Sequence, residues 1–164
     1  MGNTNRQCSI EIENTSEFIL TTECYHCISG SCDTPLPPRL SPSESGRGRF
    51  IKTPYAACGA VGVFTYDIQE PETQLNSGKI AVMFSNPYDF VEYSNWYGVG
   101  VFCTETLCDS ELFKKMYYGV EEEFARGKAS EPSLTYKGSS VTIEASMSDS
   151  NDTVIKVQVN NAKG

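Results

Sequence analysis

The sequence has no long apolar run. No stretch approaches the roughly 20 consecutive apolar residues that a membrane-spanning helix needs. The first residues, MGNTNRQCS, contain no apolar signal core, and Arg6 stands where a myristoylation motif requires Ser or Thr. We therefore expect a soluble chain without signal peptide, transmembrane segment or lipid anchor, either cytosolic or released.

Positive charge and histidine are also scarce. The chain has 13 Lys and Arg against 21 Asp and Glu, which gives a formal net charge of −8. Such a balance argues against nucleic acid, and against anionic lipid as the main target. His26 is the single histidine, and neither Asp67 nor Asp89 has an evident nucleophile partner, so we expect no enzyme activity.

Cysteine, in contrast, occurs seven times, and an odd number favours free thiols over a disulfide framework. Cys24, His26 and Cys27, followed by Cys32, have a spacing similar to that of a zinc site. No second Cys-x-x-Cys pair supports a metal there, however. We expect ordinary thiols, with no metal and no other cofactor.

The apolar pattern predicts a single domain over residues 1–164 that is mostly β. Apolar and polar residues alternate in Cys8 to Asn14, and again in two C-terminal runs that should form a hairpin. We predict one helix from Asp109 to Gly119, with an apolar stripe that includes Leu112 and Met116. The expected fold is two packed antiparallel sheets with this helix against one of them.

The most unusual stretch is FSNPYDFVEYSNWY, from Phe84 to Tyr97, in which six of fourteen side chains are aromatic. Asn86-Pro87 is a turn signal, so the stretch should hold a strand end, a loop and the start of another strand. Aromatic loop residues suit a protein contact or the wet boundary of a membrane. The alternative is a large loop that packs on its own core.

Three segments carry a family resemblance. GAVGVFTY (Gly59 to Tyr66), KIAVMFSNPYDFVEYSNWY (Lys79 to Tyr97) and MYYG (Met116 to Gly119) resemble the actinoporins in motif, order and spacing. The resemblance implies a β-sandwich that binds sphingomyelin-containing membranes through a phosphocholine pocket. Actinoporins then form pores by inserting an N-terminal amphipathic helix. This chain departs from them in its negative charge and its cysteines.

The resemblance also implies site residues. The headgroup pocket corresponds to Ser29, Val61, Ser85, Pro87, Tyr93, Phe113, Tyr117 and Tyr118. The membrane-contact loop corresponds to Tyr88, Glu92, Trp96 and Tyr97. An aromatic cage suits the quaternary ammonium of choline, and hydroxyls can donate to its phosphate. Glu92 stands where the family has an exposed tryptophan, and its charge would resist burial in a membrane.

We therefore expect a module that acts peripherally at a target membrane and recognises phosphocholine lipids, namely sphingomyelin and phosphatidylcholine. Only Met1 to Arg6 precede the first predicted strand, so we expect no N-terminal amphipathic pore helix in this chain and no pore formation by it alone. Two alternatives stay open, a complete pore-forming cytolysin and a lectin-like glycan-binding or protein-interaction domain. A homo-oligomer or a protein partner at the membrane also stays open.

Overall fold

The computed structural model of the chain describes residues 6–88 and 94–162. This part contains eleven strands and one helix. The strands are β1 (Gln7–Asn14), β2 (Ile19–Ser29), β3 (Ser31–Thr34), β4 (Ser45–Ile51), β5 (Ala60–Gln69), β6 (Asn76–Asn86), β7 (Trp96–Phe102), β8 (Phe124–Lys128), β9 (Leu134–Lys137), β10 (Val141–Met147) and β11 (Asp152–Asn161). The helix is α1 (Ser110–Tyr118), and no helix of the described ranges is long and apolar enough to cross a membrane.

The strands form two sheets, which confirms the predicted sandwich. The six-stranded sheet has the order β3-β4-β1-β11-β10-β9, and the five-stranded sheet has the order β2-β5-β6-β7-β8. The predicted C-terminal hairpin is β10 with β11, paired antiparallel. One pairing differs from the expected antiparallel pattern, because β1 runs parallel to β11.

The main core lies between the sheets, and its largest fully buried side chains include Phe50, Phe64, Tyr66 and Phe84. The rings of Phe50 and Phe84 are 4.6 Å apart and join the two sheets. The hydroxyl of Tyr66 donates to the carbonyl of Pro37 at 2.5 Å, so its polar end is satisfied inside the fold.

A second, smaller core lies on the opposite face of the five-stranded sheet, which we call the outer face. There Leu112, Phe113 and Met116 of α1 are buried against Val63 and Met83, among others. Their spacing places them on one side of the helix, as the apolar stripe predicted. The five-stranded sheet is therefore covered by the other sheet on one face and by α1 on the other.

Helix α1 begins where the sequence predicted. Asp109 is the N-cap, and its carboxylate Oδ1 accepts from the Leu112 N–H at 3.0 Å. Gly119 ends the helix in extended backbone, with its N–H donating to the carbonyl of Lys115 at 2.8 Å. The cap satisfies one of the N–H groups that the first turn leaves without a helical partner.

We expect Asp109→Ala to destabilise the protein by about 1 kcal/mol, because the first turn loses its cap. The measurement is the free energy of unfolding in urea. Glu111→Ala is the matched control, since Glu111 is exposed in the same turn and its only ion pair, to Lys114 at 3.9 Å, is on the surface. Equal losses in the two variants would contradict a specific capping role.

Candidate functional site

The strand register brings five residues side by side across the five-stranded sheet. Ser29 lies opposite Val61, Val61 opposite Ser85, and Ser85 opposite Trp96. Lys128 of β8 then lies opposite Trp96. Directly opposite residues in antiparallel strands project from the same face. These five side chains, which we call the cross-strand row, therefore run along one end of the outer face.

Helix α1 brings aromatic rings to this row. Phe113 is buried in the second core, where Val61 and Tyr117 pack against it. The rings of Phe113 and Tyr117 stack at 5.5 Å, and Tyr117 meets Trp96 edge-on at 6.5 Å. The structure therefore brings together Val61, Phe113 and Tyr117, three of the predicted site residues, from strand and helix segments far apart in the chain.

Tyr117 and Tyr118 occupy different environments although they are neighbours. Tyr117 is half-buried beside Trp96, whereas Tyr118 is 76% exposed. Their rings still touch edge to face, with centroids 4.8 Å apart. Successive helical residues diverge by about 100°, so only one of the two can pack inward. The site thus has one supported ring and one that faces solvent.

Two hydroxyls of the row make no side-chain hydrogen bond to residues 6–88 or 94–162. Ser85 is 4% exposed and Ser29 is half-buried, and neither side chain hydrogen-bonds another residue in the described ranges. A hydroxyl that makes no hydrogen bond within the protein is available to donate one to a ligand. At the β8 end of the row the ammonium of Lys128 lies 5.5 Å from the centre of the Trp96 ring, a cation–π distance.

The segment before residue 89 is fixed by Arg6. Its Nε donates to the carbonyl of Pro87 at 3.0 Å and its Nη2 to the carbonyl of Tyr88 at 2.8 Å. Its guanidinium also lies 5.8 Å from the Tyr88 ring. Pro87 is half-buried and Tyr88 is 38% exposed. Arg6 therefore holds these two predicted site residues through their main-chain carbonyls.

Two buried asparagines anchor the strands on either side of residues 89–93. Asn86 Nδ2 donates to the carbonyls of Gln7 at 3.1 Å and Asn151 at 2.6 Å. Asn95 Nδ2 donates to the carbonyl of Ser150 at 2.9 Å. Both side chains are at most 1% exposed. The ends of β6 and β7 are therefore tied to the turn between β10 and β11.

Three predicted residues need separate comment. Tyr93 and Glu92 lie outside the described residues. Tyr97 was expected in the membrane-contact loop, and this prediction is wrong for the folded chain, because Tyr97 is 1% exposed in the main core. Its hydroxyl donates to the carbonyl of Ala145 at 3.3 Å. Consecutive strand residues face opposite sides, so Trp96 faces outward and Tyr97 inward.

Sequence reasoning missed Lys128, Arg6 and the two asparagines. Lys128 lies on β8, a short strand that the sequence analysis did not identify. A polar residue inside an aromatic run, as at Asn86 and Asn95, is the signal that could have indicated buried anchors. The zinc-like spacing at Cys24 makes no metal centre in the described ranges, where no three His, Cys, Asp or Glu side chains come together.

Comparison with known proteins identifies one matching family and several similar proteins. The family described as sea anemone cytotoxic protein matches residues 1–161. DELTA-actitoxin-Aas1a of Anthopleura asiatica is 33% identical over 123 residues, covering 72% of this chain and 53% of the toxin. Deep-sea actinoporin Cjtox I of Cribrinopsis japonica is 26% identical over 162 residues, covering 99% and 70%. The chain thus spans about half the length of the first of these curated relatives.

Among solved structures, the lipid binding protein Nakanori superposes with a TM-score of 0.74. The match covers 94% of this chain and 70% of Nakanori at 11% identity. The RahU protein matches less well, with a TM-score of 0.51 at 10% identity. At such identities the likeness concerns the fold, and it agrees with the sandwich described above.

Asn86→Ala should destabilise the fold by about 1–3 kcal/mol, because the buried Asn86 amide no longer donates to the carbonyls of Gln7 and Asn151. Urea unfolding measures this loss. Asn76→Ala is the matched control, since Asn76 is exposed and its single side-chain contact, to Asp67, is 3.4 Å long. A loss at Asn86 no larger than at Asn76 would show that this anchor contributes little.

Proposed function

This chain belongs to the sea anemone cytotoxic protein family, and on that premise we propose that it docks on membranes by binding the phosphocholine headgroups of sphingomyelin and phosphatidylcholine. The observation that carries the proposal is the convergence of the cross-strand row with the rings of α1. Five strands and one helix contribute to this one end of the outer face. Two names support it. One relative is called an actitoxin, and one structural neighbour is called a lipid binding protein.

The choline end would be received by aromatic faces. A quaternary ammonium cannot donate a hydrogen bond, and ring faces attract it electrostatically. Tyr117 and Tyr118 offer such faces beside the row. Trp96 is less suited, because the Lys128 ammonium already lies over its ring at 5.5 Å. The choline group would therefore be directed toward the helix.

The phosphate end would lie toward the strands. Ser85 and Ser29 offer hydroxyl donors without competing protein partners in the described ranges. Lys128 adds a positive charge on the other side of Trp96 from Ser85, and charge-assisted hydrogen bonds are the stronger kind. The headgroup would thus bind with its phosphate near Lys128 and its choline near Tyr118. A zwitterion matches a site that has separate cationic and aromatic parts.

The surroundings of the site suit an interface with lipid. Tyr118 and Val120, at the end of α1, are each 76% exposed, and Tyr88 is 38% exposed. Tyrosine is favoured at the membrane–water boundary because its ring is apolar and its hydroxyl is wet. These residues would contact the bilayer surface around the bound headgroup.

We predict that Tyr118→Ala weakens binding to sphingomyelin vesicles by about 1 kcal/mol, or roughly fivefold, because one ring face of the choline site is lost. Because Tyr118 is exposed, the variant should still fold. Vesicle pelleting over a lipid titration measures the change. Tyr55→Ala is the matched control, since Tyr55 is a fully exposed tyrosine outside the site, and it should bind as the parent does.

Headgroup identity is tested with vesicles and a competitor. Binding should occur on sphingomyelin and on phosphatidylcholine vesicles, and free phosphocholine should compete with it. Phosphatidylglycerol vesicles, which lack choline, should not bind a chain of net charge −8. Equal binding to all three lipids, or no effect of phosphocholine, would remove the headgroup site and favour the glycan or protein-partner alternative.

A separate prediction concerns permeabilisation by this chain. The apolar residues of α1 are buried against the sheet, so exposing them to lipid would mean breaking the second core. Vesicles that bind the chain should therefore retain an encapsulated dye. Rapid dye release at low protein-to-lipid ratio would instead favour a pore-forming cytolysin, with headgroup binding unaffected.

A further inference from the structure

Two cysteines distant in sequence lie side by side on the outer face of the five-stranded sheet. Cys24 is on β2, the edge strand, directly opposite Thr65 of β5. Cys108 lies just before α1, and its Sγ donates to the carbonyl of Val63 at 3.8 Å. Both thiols therefore lie beside residues 63–65 of β5.

The placement of both thiols beside the same part of β5 brings them close together, and the electrostatic influence of Cys24 on the pKa of the Cys108 thiol agrees with this proximity. The segment that carries Cys108 is held in place by Lys79, whose Nζ donates to the carbonyl of Thr106 at 2.5 Å and pairs with Asp67 at 3.8 Å. The loop before α1 is therefore held at two points. Cys108 packs against the second core, and Lys79 holds the carbonyl of Thr106.

We propose that Cys24 and Cys108 are a thiol pair that closes into a disulfide on reaction with a small-molecule disulfide such as glutathione disulfide. The Cys24 thiolate attacks one sulfur of glutathione disulfide, which breaks the S–S bond and releases one glutathione thiolate. The Cys108 thiol then loses its proton to solvent, and its sulfur attacks the mixed disulfide at Cys24. A second glutathione leaves, so two protein thiols are oxidised and one glutathione disulfide is reduced to two thiols.

The order of the two steps follows from exposure. Cys24 is exposed and can meet the oxidant, whereas Cys108 is half-buried. Burial also raises the pKa of the Cys108 thiol, and thiol–disulfide exchange needs the thiolate. Cys108 is thus the resolving thiol, which reacts once the neighbouring Cys24 sulfur has been activated.

Four of the other five cysteines are less well placed. Cys8 is fully buried. Cys27 and Cys32 pack against the main core, and burial raises the pKa of each thiol. Cys103 is exposed, and its Sγ contacts the Thr106 hydroxyl at 3.3 Å. Of the cysteines compared here, Cys24 and Cys108 combine an exposed attacking thiol with a neighbouring partner.

The disulfide would fasten the start of α1 to strand β2. Strand β2 ends at Ser29, and α1 carries Phe113 and Tyr117, so the cross-link joins the two elements that border the cross-strand row. Cys24 and Cys108 are separated by about half of the chain, and long closed loops give the largest restriction of the unfolded state. The oxidised protein should therefore unfold at a higher temperature and exchange the α1 amide hydrogens more slowly.

The test is a peptide map of the full chain after incubation in glutathione disulfide and digestion without reductant. We expect one intramolecular disulfide, between the Cys24 and Cys108 peptides, that is removed by a thiol reductant. Slower hydrogen exchange in α1 should accompany it. A disulfide between Cys27 and Cys32 instead, or native protein that stays fully reduced under conditions that oxidise a small dithiol, would overturn the proposal.

Two variants separate the steps. Cys108→Ser should leave a persistent glutathione adduct on Cys24, because the resolving thiol is gone. Cys103→Ser is the matched control, an exposed cysteine of the same segment, and it should form the Cys24–Cys108 disulfide as the parent does. An unmodified Cys24 in Cys108→Ser would contradict its role as the attacking thiol. Vesicle binding is not a readout here, so the result does not depend on the proposed lipid site.

Discussion

The five-stranded sheet must be covered on both faces, and the rest of the structure depends on this requirement. Its central strands β5 and β6 are buried along most of their length. The six-stranded sheet covers one face, and in the described residues α1 covers the other through the second core. Phe113 and Tyr117 bring the helix to the cross-strand row, so the row lies where the second core borders one end of the sheet.

The polar anchors determine where that open end lies relative to the other sheet. Asn86 and Asn95 donate to carbonyls in the turn after β10, while Arg6 holds the carbonyls of Pro87 and Tyr88. Leaving a buried acceptor without its donor costs about 1–3 kcal/mol. A displacement of β6 or β7 would break several such bonds together. The row and the turn between the two C-terminal strands are thus held as one unit, although they belong to different sheets.

The sequence predicted those helices and strands that are long enough to show a clear periodic pattern of apolar residues. Helix α1 and the β10–β11 hairpin have clear periods and lie close to their predicted bounds. The short strands β3, β8 and β9 have four or five residues each, too few for alternation to be distinguished from loop. The parallel pairing of β1 with β11 joins the two ends of the chain, and no local pattern specifies such a partner.

The candidate site was predicted in part because the family resemblance supplied residues that periodicity could not. Ser29, Val61 and Ser85 do lie together, since strand register places them opposite one another. Tyr97 was assigned with Trp96 as a surface pair, although adjacent strand residues must face opposite sides. Lys128 was missed with its strand. The two differences thus have separate physical causes, the alternation of side chains along β7 for Tyr97 and the shortness of β8 for Lys128.

The acidic charge of the chain is compatible with a site that holds a zwitterion. At physiological ionic strength, exposed charges are largely screened beyond about 8 Å, so the net charge of −8 acts weakly at the row. Within that distance the charges near the row have both signs, since the ammonium of Lys128 lies 5.5 Å from the centre of the Trp96 ring and Glu131 Oε1 accepts from the Lys128 N–H at 2.8 Å. A phosphocholine surface carries no net charge, so the chain as a whole is not repelled from it, whereas an anionic surface would repel it. The proposed selectivity for zwitterionic lipid would then rest on combining a negative protein with local cations and uncharged ring faces.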